Sequence, residues 1–108
     1  MIGEHSKTSD VLLELVARAI KAGADDMEIE YKNGREEVFA VRSGIGVGIA
    51  SLDSKSEEAR LLREELYAIA AKKRGVRISG CTYTVRVQIF DNFGEDAFRI
   101  TIKRTPGQ

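Results

Sequence analysis

The apolar residues of this chain follow two periods, and the first is helical. From Val11 to Ile20 they recur every three or four positions, which is typical of an amphipathic helix. Ser9 or Asp10 can cap the start of this helix, and Gly23 can close its end. The segment therefore predicts a first helix that ends before residue 23.

A second helix is predicted from about Lys55 to Arg74. Ser54 and Glu57 have the spacing of a capping box, and Gly75 follows the last predicted residue. The apolar stripe of this helix consists of Ala59, Leu62, Leu66, Ile69 and Ala70. Its last turn would carry Lys72, Lys73 and Arg74, where positive charge suits the carbonyl end of the helix dipole.

Strand-like alternation of apolar and polar residues follows each predicted helix. It predicts six strands, at residues 27–31, 38–41, 44–50, 76–79, 83–89 and 98–102, with a turn at Gly80 and a loop at 91–96. The Asn33-Gly34 pair is a strong hairpin signal between the first two strands. The register of that hairpin stays open, because one residue more or less in the turn reverses the face of the second strand.

These elements predict one α+β domain with a single, mostly antiparallel sheet and two main helices, in the order α-β-β-β-α-β-β-β. The period changes from helical to strand-like after each of Gly23 and Gly75. We assign the domain to residues 9–104, a flexible N-terminal tail to 1–8 and a C-terminal tail to 105–108.

The glycine-rich stretch GIGVGIAS at 44–51 has two interpretations. A phosphate-binding loop would need a helix directly after it, and a Walker site would need a Lys-Ser/Thr pair, which this chain lacks. Alternation of Gly44, Gly46 and Gly48 with apolar residues instead favours a strand with one bare face. Glycine weakens a strand, so the bare face indicates close packing by a helix, a partner backbone or a ligand.

Composition narrows the class of protein further. In 108 residues, 17 basic and 17 acidic side chains cancel, which argues against nucleic acid as a partner and against an anionic membrane surface. No apolar run is long enough to span a bilayer, and no signal peptide is recognisable, so we expect a cytoplasmic protein without membrane insertion. The single cysteine, Cys81, is expected to be a reduced thiol.

No catalytic set can be assembled from the candidate residues. The only histidine, His5, lies in the predicted tail, and the strand carboxylates Glu28 and Glu30 alternate as a solvated face should. The acidic residues of the DNFGED loop do not have the spacing of an EF-hand. We therefore expect a protein that is not an enzyme and that uses no metal or cofactor.

The segment AIKAGADDMEIE, Ala19–Glu30, resembles the AIxxGASDIHIE segment that opens the N-terminal domain of the bacterial type II secretion and type IV pilus assembly ATPases. Further counterparts follow in the family's order. They are VRSG at 41–44 for its R-x-D-G turn, and VRVQ at 85–88 with GEDAFR at 94–99 for its late strand pair. The sequence departs from the family at Glu28, Tyr31 and Ser43, where the family has histidine, proline and aspartate.

This resemblance implies a PAS-like fold and a domain that packs against a RecA-like ATPase domain and helps to clamp nucleotide through arginines. Arg42 and Arg86 match such arginine positions. Without a Walker motif, the implied function is a non-catalytic accessory or regulatory domain whose partner is a RecA-like ATPase domain or a second copy. The alternative is a free-standing PAS-like module that binds a small molecule. The sequence does not decide between an excised domain and a free-standing protein.

Overall fold

The computed structural model describes residues 9–106, which form two helices packed on a six-stranded sheet. The predicted tail at 1–8 lies outside the described residues. The element order and the α+β class are as predicted from the sequence. The elements are α1 (Asp10–Lys21), β1 (Asp26–Lys32), β2 (Arg35–Arg42), β3 (Ile45–Asp53), α2 (Glu57–Ala70), β4 (Arg74–Ile78), β5 (Cys81–Asn92) and β6 (Glu95–Arg104).

The sheet is antiparallel throughout, with the strand order β3-β2-β1-β6-β5-β4. Each half of the chain forms a three-stranded meander. The two meanders join at the centre of the sheet, where β1 pairs with β6. The outer edges of the sheet are therefore β3 and β4.

The turn at Asn33-Gly34 settles the register that the sequence left open. Both residues have positive φ, 52° and 80°, as a two-residue type I′ hairpin turn requires. Met27 consequently lies opposite Ala40, and Ile29 opposite Val38. All four of these apolar side chains are buried under the helices.

The core fills the space between the helices and one face of the sheet. Helix α1 contributes Leu12, Leu15, Val16 and Ala19, and α2 contributes Leu62, Leu66 and Ile69. Ser9 caps α1 by accepting a hydrogen bond from the backbone N–H of Leu12, and Gly23 follows the helix with φ 77°. The helices cover only this face of the sheet, which we call the helix face. We call the other one the open face.

Helix α2 is shorter at both ends than the sequence predicted. Its N-cap is Ser56, whose hydroxyl accepts from the N–H of Ala59, and not Ser54. The helix ends at Ala70, so the basic residues at 72–74 do not form its last turn. Arg74 instead begins β4 and donates to the Glu65 carboxylate at 2.8 Å. Helix propensity alone does not exclude helix at 72–74, but Arg74 lies in β4, where it forms this ion pair with Glu65.

Glu65 ties three elements together at one edge of the core. Besides the ion pair with Arg74, its carboxylate accepts hydrogen bonds from the backbone N–H and the hydroxyl of Ser9. It thus joins α2 to the N-cap of α1 and to the start of β4. The Glu65 side chain is only 10% exposed, so these contacts compensate the cost of removing its charge from water.

The β5–β6 hairpin is longer than its neighbours. The predicted loop at 91–96 contracts to a two-residue turn, Phe93-Gly94, and β5 continues to Asn92. Strand β4 pairs with β5 only as far as Val85, and β1 pairs with β6 only from Phe98 onwards. The hairpin therefore extends past both neighbouring strands as a two-stranded ribbon.

Candidate functional site

The predicted glycine strand exists, but a bulge changes its faces. Val38 pairs with Ala50 and Phe39 pairs with Gly48, which leaves Ile49 as the extra residue of a β-bulge. The Ile49 carbonyl is not left unpaired, since it accepts a hydrogen bond from Arg18 of α1 at 2.9 Å. Before the bulge, the glycines face the open side of the sheet, whereas the apolar residues of β3 face the helix side.

Of the three predicted close-packing glycines, two lie on the strand. Gly46 and Gly48 face the open side opposite Val41 and Phe39, whereas Gly44 belongs to the β2–β3 turn with φ 80°. A Cβ atom at Gly46 would lie 3.7 Å from Phe39, and one at Gly48 would lie 4.0 Å from the Phe39 ring. These are ordinary contacts, so among residues 9–106 no element packs closely over the strip. That a partner chain packs on the open face at Gly46 and Gly48 therefore remains a hypothesis.

This geometry predicts that Gly48→Ala stabilises the isolated domain. Alanine loses less backbone entropy on folding, so the free energy of unfolding should rise by about 0.5–1 kcal/mol. Gly44→Ala should have the opposite effect, because φ at Gly44 is 80°. Urea denaturation measures the free energy of unfolding of both variants and tests both predictions. A loss of stability in Gly48→Ala would show that something packs on the strip.

Phe39, Val41, Gly44 and Gly46 form the floor of a shallow depression of about 400 Å³ on the open face, which we call the glycine groove. Its other wall is a column of carboxylates on β1, which are Asp26, Glu28 and Glu30. Arg99 of β6 donates to Glu28, and this contact raises the pKa of Arg99. The groove therefore combines an apolar floor with a predominantly acidic wall.

The two arginines predicted by resemblance do not meet. Arg42 follows Ala40 on the helix face of β2 and its guanidinium lies beside Gly23. Arg86 lies between the buried residues Val85 and Val87 and points to the open face of β5. Because they occupy opposite faces of the sheet, one nucleotide cannot contact both arginines of a single copy.

The helix face contains a second depression, of about 450 Å³, between α2 and the ends of the β1–β2 and β5–β6 hairpins. We call it the Glu36 cleft. Glu36 is 4% exposed and is the buried charged residue of the described chain. Its carboxylate accepts from Arg63 at 3.0 Å and from the Ser54 hydroxyl at 2.7 Å. Ser54 thus binds Glu36 instead of capping α2 as expected.

Glu36 is not among the site residues predicted from the sequence, although the alternation of β2 contains the signal for its burial. Given a two-residue turn at Asn33-Gly34, position 36 has the same parity as Val38 and Ala40 and must face the core. Arg63 follows Leu62 on α2 and reaches the same point. The register that would have identified this pair was the one the sequence left undecided.

Tyr67 lies at the other end of the Glu36 cleft. Its hydroxyl donates to Asp96 at 2.5 Å, and its ring makes an edge-to-face contact with Phe98 at a centroid distance of 5.3 Å. The hydrogen bond to Asp96 is the main cause that raises the pKa of Tyr67. Tyr67 therefore joins α2 to the start of β6.

A raised tyrosine pKa makes stability depend on alkaline pH. The hydrogen bond stabilises the fold fully below the ordinary tyrosine pKa of about 10, and this contribution is lost as pH rises through the higher folded-state value. We expect the stability of the wild type to fall more steeply above pH 10 than that of Tyr67→Phe. Denaturation curves measured from neutral pH to well above the ordinary tyrosine pKa of about 10 compare the two. Parallel pH profiles would show that the hydrogen bond is not formed.

Within the described chain, no group of three or more His, Cys, Asp or Glu side chains converges to hold a metal ion. Asp91, Glu95 and Asp96, the acidic residues of the DNFGED sequence, lie at the end of the β5–β6 hairpin. Neither helix of residues 9–106 is long and apolar enough to cross a membrane.

Comparison with family models and with curated proteins finds no match.

Proposed function

We propose that this chain is a non-catalytic accessory domain that acts through protein contacts on the open face of its sheet. The observation that carries this proposal is the glycine groove: a strip without side chains beside Phe39 and Val41, with carboxylates along one wall. No described element covers it. An exposed apolar patch that is bordered by polar side chains often marks a site of protein interaction.

The sequence resemblance supports a RecA-like ATPase domain as the partner, and with it a PAS-like, cytoplasmic regulatory domain. The wall of Asp26, Glu28 and Glu30 favours a partner surface with basic side chains around an apolar ridge. The opposite positions of Arg42 and Arg86 restrict the role in nucleotide clamping. A nucleotide bound between this domain and a partner contacts Arg86 if the partner lies on the open face.

Calorimetric titration with a purified RecA-like motor domain of a secretion ATPase tests the proposal. Glu30→Lys reverses one charge of the groove wall and should weaken binding about tenfold or more, since like charges then meet across the interface. Glu58→Lys, the same change on an exposed position of α2, should bind as the wild type does. Absence of binding by the wild type, or equal losses in both variants, would refute the open face as the partner site.

The alternative function is small-molecule binding in the Glu36 cleft. The cleft offers a buried carboxylate, a guanidinium and two tyrosines, Tyr31 and Tyr67, and its volume of about 450 Å³ lies within the range of ligand pockets. A thermal-shift screen of nucleotides and metabolites tests it. A ligand that raises the melting temperature of the wild type but not that of Arg63→Ala would favour this alternative.

A further inference from the structure

The tip of the β5–β6 hairpin carries an aromatic side chain at a position where the backbone conformation disfavours aromatic residues. Phe93 has φ 56° and is 98% exposed, and with Gly94 it forms the two-residue turn. In such turns the first position favours Asn, Asp or Gly, and a bulky side chain at positive φ is an outlier. The Phe93 ring therefore contributes no packing to its own domain. Exposed aromatic side chains in rigid turns are typical anchors of protein interfaces.

The charges around Phe93 indicate what it can bind. Asp91, Glu95 and Asp96 flank the turn, so the tip carries an apolar ring among carboxylates. Anionic lipid and nucleic acid would both repel this tip. The complementary surface is an apolar groove with a basic side chain at its wall.

The same chain carries such a groove at β3, which we call the edge groove. It has a volume of about 330 Å³ and is lined by Ala22, Ala24, Ala40, Arg42, Ile45 and Val47. Ile45 and Val47 are 69% and 60% exposed, because α1 ends before it can cover them. Arg42 is its only charged lining residue among those described. The glycine groove and the Glu36 cleft instead contain carboxylates, which would repel the tip.

The tip and the edge groove lie at opposite ends of the strands. Phe93-Gly94 is at the end of the sheet where β1 runs into the Asn33-Gly34 turn, whereas Ile45 follows the β2–β3 turn at the other end. A copy therefore cannot fill its own groove. The contact between copies is heterologous, from the head of one to the tail of the next, and it leaves one tip and one groove free.

We propose that the chain self-associates head to tail, with Phe93 of one copy inserted in the edge groove of the next and Arg42 facing the acidic residues of the tip. This contact uses none of the groove residues on which the proposed function rests. Each can therefore fail without the other.

Sedimentation equilibrium of the purified chain from micromolar to millimolar concentration tests the proposal. The average mass of the wild type should rise with concentration past that of a dimer, because each contact leaves free ends. Phe93→Asn creates an Asn-Gly turn, so it should fold at least as stably while association weakens by about 30-fold or more, as expected for an aromatic anchor. Val47→Glu places a carboxylate in the groove and should weaken association similarly.

Mixing the two variants gives the decisive result. Phe93→Asn keeps an intact groove and Val47→Glu keeps an intact tip, so the mixture has one working contact and should form 1:1 dimers that grow no further. Ser79→Asn, which makes the same turn change in the β4–β5 hairpin, should associate as the wild type does. A monomeric wild type at every concentration, wild-type association by Phe93→Asn, or a mixture that remains monomeric would each overturn the proposal.

Discussion

Phe98→Ala is expected to lower the free energy of unfolding by about 3–5 kcal/mol, the usual cost of removing a large aromatic side chain from a core. Phe98 is the largest fully buried side chain of the domain and lies on β6, opposite Ile29 of β1 and Ile89 of β5. It also supports the Tyr67 ring. Because domains of this size have about 5–15 kcal/mol of stability in total, the variant should lose a large fraction of its stability.

Phe90→Ala is the matched control for Phe98→Ala. Phe90 is one residue from Ile89 on the open face of β5 and is 37% exposed, so the same change there should cost about 1 kcal/mol. Guanidinium denaturation followed by circular dichroism compares the two variants. Equal losses would show that the core is not concentrated on the helix face of β6.

The element order could be predicted because the apolar period changes from helical to strand-like in each half of the chain, at Gly23 in the first half and close to Gly75, which itself lies in β4, in the second. Gly23 ends α1 with positive φ, and alternation then continues through β1 and β2 without interruption. In β5 and β6 the alternation is equally clear, and only its extent was underestimated. Asp91 and Asn92 resemble loop residues, but they pair with Asp96 and Glu95 in the hairpin. Composition alone does not distinguish a polar ribbon from a loop.

The bulge in β3 could not be predicted from alternation. Glycine and apolar residues alternate strictly from Gly44 to Ala50, and nothing in that pattern marks Ile49 as the extra residue. At the bulge the contact comes from a residue distant in sequence, since Arg18 of α1 donates a hydrogen bond to the Ile49 carbonyl. It moves Ala50 to the helix face, where it packs beside the core.

The candidate surfaces depend on tertiary structure in the same way. Resemblance selected Arg42 and Arg86 as neighbours in function, but strand parity places them on opposite faces. The Glu36 cleft could not be predicted because the sequence Arg-Glu-Glu after a turn is typical of a solvent-exposed hairpin strand. Its burial follows only when the turn length and the approach of α2 are known together.

Arg63→Ala is expected to lower the free energy of unfolding by about 3 kcal/mol, because it leaves the Glu36 carboxylate buried with one fewer compensating partner. The Arg63 side chain is itself 32% exposed, which places the effect at the lower end for a broken buried pair. Chemical denaturation at neutral pH measures it. Arg60→Ala, on the same helix, removes only exposed ion pairs with Glu57 and Glu64 and should show no measurable change.

The double variant Glu36→Leu/Arg63→Leu separates the value of the pair from the cost of an orphaned charge. If the large effect of Arg63→Ala comes from the unpaired carboxylate, removing both charges should recover most of the lost stability, since apolar replacements of buried pairs are often neutral. Glu36→Leu alone should be milder than Arg63→Ala, because Arg63 can turn toward water. A double variant as unstable as Arg63→Ala would show instead that the guanidinium stabilises α2 and the β1–β2 hairpin through its own packing and its contact with the Ser54 carbonyl.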